Sequence, residues 1–249
     1  MRGLVRDLAV MTVSIFGCVL LTAVLLALPV LRRARSLITR RLVSDSAVIA
    51  VSIFVCILQT AALLAPVVAL AADVVPRDAL RYRGTLEREA QRVWGLQPPV
   101  ATLAGQVHQE SHWNPAARSA VGAAGLAQFM PATSQWLGGL YGDLADQAPA
   151  NPTWALRALV TYDRWLYERI RADNECERMA FALSAYNGGL GWVYKRQKRS
   201  AQPGICFGAT CGINPGIALA SQRENEGYPD LVLHRYEPLY RDWGNGSCP

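Results

Sequence analysis

Hydrophobic residues are concentrated in two stretches near the start of the chain, residues 8–31 and 46–71, and neither contains a charged side chain. Each is long enough to cross a bilayer, which takes roughly 20 apolar residues in a helix. We therefore predict two transmembrane or signal-like helices within residues 1–72. The mixed, charged residues 73–84 that follow are typical of a linker.

After this linker, apolar residues recur at helical spacing and not in the alternation of strands. The first helical pattern begins at Thr85 and is stopped by Pro98-Pro99, because proline interrupts a helix. The further helical segments are 100–111, one starting near Pro131, 152–172 and 175–186. We expect an all-α domain over residues 85–199, with a tight Gly-rich loop at 116–126.

Residues 200–249 show little periodicity and contain three of the four cysteines outside the apolar stretches. We expect an irregular C-terminal extension held by two disulfides, which suits an oxidising compartment. Four cysteines allow three pairings, and we favour Cys206–Cys211 with Cys176–Cys248. A zinc site is the alternative, but His234 is the one histidine near these cysteines in the sequence.

The net charge of +6 is unevenly distributed. Residues 1–71 contain seven arginines and two acidic residues, which accounts for most of the excess, so the charge does not indicate nucleic-acid binding. Five of the arginines lie between the apolar stretches, and the positive-inside rule keeps such a loop in the cytoplasm. The chain after the second stretch would then face the periplasm, either anchored in the inner membrane or released by cleavage near Ala71.

Glu110 is the candidate for chemistry, because it closes the apolar segment 100–111 just before the Gly-rich loop. A carboxyl group held against apolar walls has a raised pKa and can donate a proton near neutrality. A single glutamate at a helix end is a weak signal, so its neighbours matter. Residues 110–131 read ESHWNPAARSAVGAAGLAQFMP, and residues 184–189 read SAYNGG.

These motifs resemble the signature of the soluble lytic transglycosylase family: Glu-Ser, Asn-Pro, Gly-Ala-x-Gly-Leu-x-Gln-x-Met-Pro, and Ala-Tyr-Asn followed by Gly. The motifs occur in the family's order, and the resemblance covers residues 85–195. It implies a goose-lysozyme-like α fold, and from the residues themselves we expect neither a metal nor a cofactor. It also implies cleavage of the β-1,4 bond between N-acetylmuramic acid and N-acetylglucosamine in peptidoglycan glycan strands, which leaves 1,6-anhydromuramyl ends.

The resemblance implies a role for each matched residue. Glu110 would protonate the leaving glycosidic oxygen and then accept the proton of the muramyl 6-hydroxyl, so that one carboxylate suffices. Gln128 and Asn187 would bind N-acetyl groups, and Tyr186 would place its hydroxyl near Glu110. The predicted substrate-binding residues are Ser111, which would orient Glu110 or the substrate, together with Gln128, Phe129 and Met130 as cleft walls, Tyr186 and Asn187.

Several alternatives remain open. A lysozyme-like or chitinase-like hydrolase on the same fold would need a second carboxylate, for which Asp143 and Asp146 are candidates. His108 and His112 flank Glu110, but their spacing differs from that of a zinc protease helix. The basic run 195–199 is either a solvated helix end or a contact with an anionic polymer or lipid. A domain that binds glycan without cleaving it is a third possibility.

The biological setting is also open at this level. The enzyme could act as a phage endolysin, in bacterial wall remodelling, or with a secretion machine, and a holin or secretion-machinery partner is unidentified. One departure from the family pattern concerns the cleft wall, where many members have Asn-Ile-x-x-Gly and this chain has Asn151-Pro152-Thr153-Trp154-Ala155. Fine substrate preference could differ there.

Overall fold

Seven α-helices follow one another in the computed structural model, which describes residues 74–249 of the chain. They are α1 Ala79–Trp94, α2 Val100–Ser111, α3 Pro131–Leu140, α4 Pro152–Arg169, α5 Glu175–Gly188, α6 Leu190–Arg199 and α7 Leu219–Asp230. A π-helical segment, Leu231–Tyr236, and a 3-10 segment, Glu237–Trp243, continue directly from α7. Shorter 3-10 turns occur at Gly142–Leu144 and Thr210–Gly212. No strand occurs within residues 74–249, so the all-α prediction is confirmed.

The helix ends follow local sequence signals. Pro152 occupies the first turn of α4, and the Asn151 side chain accepts hydrogen bonds from the backbone N–H groups of Thr153 and Trp154. Such a cap satisfies donors that have no partner inside the helix. The Asn-Pro sequence that departs from the family pattern is therefore a helix start. Helix α5 ends where Gly189 adopts a positive φ of 102°.

Two boundaries differ from the sequence prediction. Helix α1 begins at Ala79, inside the predicted linker 73–84, and Ala79 is fully buried. The predicted irregular extension contains helical structure over residues 219–243. Its periodicity is hidden because Pro229 lies inside α7 and the π-helical turn then shifts the spacing of buried residues.

Helix α2 is the central element, since most of its residues are buried. The C-terminal segments pack so closely on it that a Cβ atom at Gly105 would lie 2.9 Å from the backbone nitrogen of Glu237. The buried Glu237 carboxylate accepts hydrogen bonds from Thr102 (2.5 Å), Arg241 (2.7 Å) and the Ser247 N–H (3.0 Å). These hydrogen bonds satisfy the buried carboxyl oxygens, so this network holds the C-terminal segments on α2.

The disulfides are Cys176–Cys248 and Cys206–Cys211, which confirms the preferred pairing. The backbone N–H groups of Cys206 and Phe207 donate to the Glu177 carboxylate, which fixes the smaller loop to α5. A His234 nitrogen and the sulfurs of Cys176 and Cys248 lie within 4.8 Å of one another. Because these two sulfurs are bonded to each other, they are not available as zinc thiolates.

The apolar stretches 8–31 and 46–71, in which two membrane or signal helices are predicted, lie outside the described residues. Over residues 74–249, none of the helices combines the length and the apolar character needed to cross a bilayer.

The two disulfides should differ in their contribution to stability. The Cys176–Cys248 bond closes a loop of 72 residues and the Cys206–Cys211 bond a loop of 5. In the chain-entropy account, these correspond to about 4 and about 2 kcal/mol. We expect Cys176→Ser/Cys248→Ser to lower the free energy of unfolding in urea more than Cys206→Ser/Cys211→Ser does. The reverse order would show that loop entropy does not govern their effect.

Candidate active site

The chain reverses immediately after Glu110, the penultimate residue of α2. His112 and Trp113 both adopt left-handed backbone angles, with φ of 50° and 64°. Two such residues in succession are uncommon outside glycine, and the fully buried Trp113 side chain holds them in place. Its indole N–H donates to the Tyr240 hydroxyl at 2.6 Å. The turn that presents Glu110 is therefore anchored by the C-terminal 3-10 segment.

Ser111 and Gln128 shape the loop that follows this turn. The Ser111 hydroxyl is within hydrogen-bonding distance of two backbone carbonyls, Leu126 at 2.8 Å and Val107 at 3.3 Å. The Gln128 amide donates to the carbonyls of Gly125 (2.9 Å) and Ala117 (3.2 Å). Both side chains thus hold the backbone of the loop, and Ser111 also contacts the backbone of α2 at Val107.

Gly125 is required at the base of this loop. Its φ is +80°, and a Cβ atom there would lie 1.7 Å from the Pro149 carbonyl oxygen. Any larger residue would separate the loop from the segment before α4. Gly125 of the matched motif is therefore explained by the close approach of its backbone to the backbone at Pro149.

The Glu110 carboxyl group is poorly solvated. Desolvation by burial raises its pKa from 4.5 to about 7, and the negative charge of Glu224 adds to the increase. The Tyr228 hydroxyl donates a hydrogen bond to Glu110 Oε1, which favours the charged form and partly offsets the increase. Glu110 can consequently hold or release a proton near neutral pH, as an acid–base catalyst must.

Tyr186 and Asn187 lie at the C-terminal end of α5 and are partly exposed. The Tyr186 hydroxyl donates to the Ala127 carbonyl at 2.7 Å and not to the Glu110 carboxyl. Burial, followed by the charge of Glu110, raises the pKa of Tyr186 well above its ordinary value. The Asn187 side chain accepts from the Asn225 amide at 2.8 Å and donates to Glu224 at 3.4 Å.

Phe129 and Met130 occupy different environments. Phe129 is 2% exposed, and its ring packs on the rings of Trp154, Tyr162 and Tyr186. It therefore supports Tyr186 from the interior, in place of the predicted position on the cleft wall. Met130, at the start of α3, is 40% exposed and is available to a ligand.

The sequence did not indicate Tyr228 and Glu224, which come from α7. These residues are four apart, on one helix face, but α7 lies in the segment predicted to be irregular. The helix is fixed by the buried Arg196 guanidinium, which donates to Asn225 Oδ1 (2.7 Å) and Gln222 Oε1 (2.8 Å). Because neither partner of Glu110 belongs to the matched motifs, no local pattern could have identified them.

Other candidates from the sequence are engaged elsewhere. Asp143 is paired with Arg92 at 2.9 Å and lies 3.9 Å from Arg157, and Asp146 is exposed on the surface. His108 is buried, shares a hydrogen bond with the Tyr240 hydroxyl at 2.9 Å and stacks on Tyr236. This histidine is thus part of the interior that supports α2.

A desolvated glutamate at the end of the central helix of a helical domain resembles the acidic residue of lysozyme in its environment. Residues 86–205 match the family model of the transglycosylase SLT domain. The family resemblance noted in the sequence is thereby confirmed.

Curated relatives carry the name membrane-bound lytic murein transglycosylase F. The protein from Shewanella pealeana is 30% identical over 146 residues, which is 58% of this chain and 28% of that protein. The protein from Maricaulis maris is 34% identical over 128 residues, 50% of this chain and 25% of the relative. This chain thus spans only about a quarter of the length of these relatives.

Solved structures show the same fold. An inactive mutant of lytic transglycosylase Slt from Pseudomonas aeruginosa superimposes with a TM-score of 0.51 at 24% identity, covering 65% of this chain and 24% of that one. The complex of a 70-kDa soluble lytic transglycosylase with bulgecin A gives a TM-score of 0.50 at 25% identity, with 69% and 26% covered. The lysozyme-like helical fold is therefore confirmed.

Desolvation of Glu110 should make stability depend on pH. Its pKa is higher in the folded than in the unfolded state, so its contribution is fully present below pH 4.5 and is lost as the pH rises through about 7. We expect Glu110→Gln to raise the free energy of unfolding above pH 7 by about 2–3 kcal/mol. The difference should shrink towards pH 4, whereas the surface variant Glu168→Gln should show no such trend. Equal stabilities at pH 8 would contradict the burial argument.

The Tyr228 hydroxyl should lower the pKa of Glu110. We expect Tyr228→Phe to raise this pKa above about 7, because the charged form loses its donor. The measurement is a carbon-13 NMR titration of the glutamate carboxyls, with Glu110→Gln identifying the signal. Tyr186→Phe is the matched control, since that hydroxyl donates to the Ala127 carbonyl. A Glu110 pKa that stays constant or falls in Tyr228→Phe would disprove the role of the hydroxyl.

Proposed function

We propose that this protein is a peptidoglycan lytic transglycosylase that cleaves the β-1,4 bond between N-acetylmuramic acid and N-acetylglucosamine. The observation that carries the proposal is the Glu110 carboxyl, with a pKa of about 7, at the Glu-Ser motif of the SLT domain. The relatives are named for action on murein. The product would be a 1,6-anhydromuramyl end.

The reaction proceeds in two steps on one carboxyl group. Protonated Glu110 donates its proton to the glycosidic oxygen as the bond to the muramyl anomeric carbon breaks, and the substrate's acetamido group stabilises the cation. The carboxylate then takes the proton of the muramyl 6-hydroxyl as that oxygen attacks the same carbon. No water is consumed. The Tyr228 hydroxyl stabilises the carboxylate between the steps.

The proposed substrate contacts are inferred from which side chains near Glu110 are exposed. Met130 and Asn187 present surface beside the site, and Asn187 is oriented for an N-acetyl group by its bonds to Asn225 and Glu224. Gln128 keeps its amide oxygen for the sugar, because its nitrogen is used by the loop. Ser111 positions the loop through its hydrogen bond to the Leu126 carbonyl, and Phe129 positions Tyr186 by packing against its ring.

The domain would act on the wall side of the inner membrane. The relatives are named membrane-bound, the predicted helices 8–31 and 46–71 would anchor or export the domain, and the two disulfides suit the periplasm. The role would be phage lysis or bacterial wall remodelling. Lysis of cells that co-express a holin supports the endolysin role, and tolerance of prolonged expression counts against it.

A hydrolase is the second candidate, and the electrostatic effect of Glu224 on Glu110 favours it. Hydrolysis needs a carboxylate that activates water, and Glu224 is an exposed carboxylate close enough to Glu110 to raise its pKa. Asp143 is held by arginines and is a poorer candidate. In that mechanism Glu224 would be essential, whereas the transglycosylase needs only Glu110.

Mass spectrometry of digested peptidoglycan tests the proposal. We expect muramyl ends that are one water lighter than reducing ends, and Glu110→Gln should lower the rate by a factor of about 100 or more, since the general acid is lost. Glu168→Gln should keep wild-type activity. Reducing ends alone, abolished by Glu224→Gln, would establish the hydrolase in its place.

A further inference from the structure

A buried polar pair joins α2 to α4 one helical turn before Glu110. Gln106 and Asp163 are both fully buried. The Gln106 amide donates to Asp163 Oδ1 at 3.3 Å. The other oxygen of each side chain, Gln106 Oε1 and Asp163 Oδ2, is buried without a hydrogen-bond partner among the described residues. Buried polar atoms are rarely left in this state.

One proton would satisfy both oxygens. A carboxylic acid and a carboxamide can form two hydrogen bonds, in which the amide N–H donates to the acid carbonyl and the acid O–H donates to the amide oxygen. The first of these bonds is present here. The second has its oxygens on the same two side chains, and it requires that Asp163 carry its proton. If Asp163 were ionised, Asp163 Oδ2 and Gln106 Oε1 would both be acceptors, and no hydrogen bond could form between them.

The surroundings also disfavour a charge on Asp163. The titratable groups that its charge acts on are Glu110 of α2, Tyr162 of α4, Tyr186 of α5 and Tyr228 of α7, and none of these is a cation. Burial, and secondarily the charge of Glu110, raise the pKa of Asp163 well above its ordinary value. A buried carboxylate without a cation is costly.

We propose that Asp163 is a positioning residue that keeps its proton at neutral pH and, through a paired acid–amide contact with Gln106, holds the turn of α2 that carries Glu110. Asp163 itself is fully buried and does not contact substrate. Its neutral form leaves Glu110 as the one carboxyl of this buried cluster that changes charge during the reaction. The catalytic part of this inference rests on the proposed function, but the protonation state does not.

Two substitutions separate the charge from the contact. Asp163→Asn is close in shape, always neutral and able to make both hydrogen bonds with Gln106. We expect its activity to lie within about twofold of wild type, with an unchanged pH profile. Asp163→Leu is neutral but makes neither bond. We expect it to lower kcat by about tenfold or more, because Glu110 is less well positioned. Rescue by asparagine but not by leucine is the expected signature.

Carbon-13 NMR of the aspartate carboxyls provides a readout that needs no substrate. We expect one aspartate signal in the wild type to stay in its protonated form past pH 7 and to be missing in Asp163→Asn. A signal that is ionised by pH 6 would overturn the proposal. So would an alkaline limb of the activity profile that moves to lower pH in Asp163→Asn, because that shift would mean a negative charge had been removed beside Glu110.

The outcomes also separate this proposal from the proposed function. A digest without anhydro ends, combined with a protonated Asp163 signal, would reject the transglycosylase and retain the acid–amide pair. Anhydro ends combined with an ionised Asp163 would do the opposite. Circular dichroism of both variants should match the wild type at neutral pH, and a leucine variant that does not fold leaves the asparagine and NMR comparisons decisive.

Discussion

The carboxyl group of Glu110 lies where water solvates its charge poorly, and the surrounding architecture maintains that condition. Helix α2 ends one residue later, and the left-handed His112 and Trp113 turn the chain back over it. The loop bonded to Ser111 closes one side, and α7 closes another with Tyr228. The proposed acid–base role of Glu110 and the expected cost in stability at alkaline pH have this same origin, because burial penalises the charged form.

The buried charged and polar groups around Glu110 obtain their hydrogen-bond partners in different ways. The Glu237 carboxyl group is surrounded by hydrogen-bond donors, whereas Arg196 is buried among amide and carbonyl oxygens. In the proposed Gln106–Asp163 pair, a proton kept by Asp163 would give both side chains their hydrogen-bond partners. Polar groups in a low-dielectric interior require such matching.

The sequence predicted the parts of the structure that are encoded locally. The apolar stripe of α2, the Asn-Pro start of α4 and the glycines after α5 each mark an element within a few residues. The sequence did not predict the helical structure of residues 219–243, because Pro229 and the π-helical turn disrupt the 3.6-residue period of buried positions. Glu110 could be found from its motif. Tyr228 could not, since it lies 118 residues away and the contact depends on how the helices pack. The interior position of Phe129 likewise depends on the loop, in which Gln128 adopts a positive φ.

The contact between α2 and α7 joins two distant parts of the chain. Glu110 and its hydrogen-bond donor are separated by 118 residues, so helices α1 to α6 can form without completing the site. Until α7 docks and Cys248 pairs with Cys176, the glutamate lacks both its tyrosine and much of its apolar enclosure. A chain in which α7 has not docked would therefore carry a more exposed glutamate, whose pKa is closer to that of an ordinary carboxyl group. The proposed chemistry would then depend on the docking of α7.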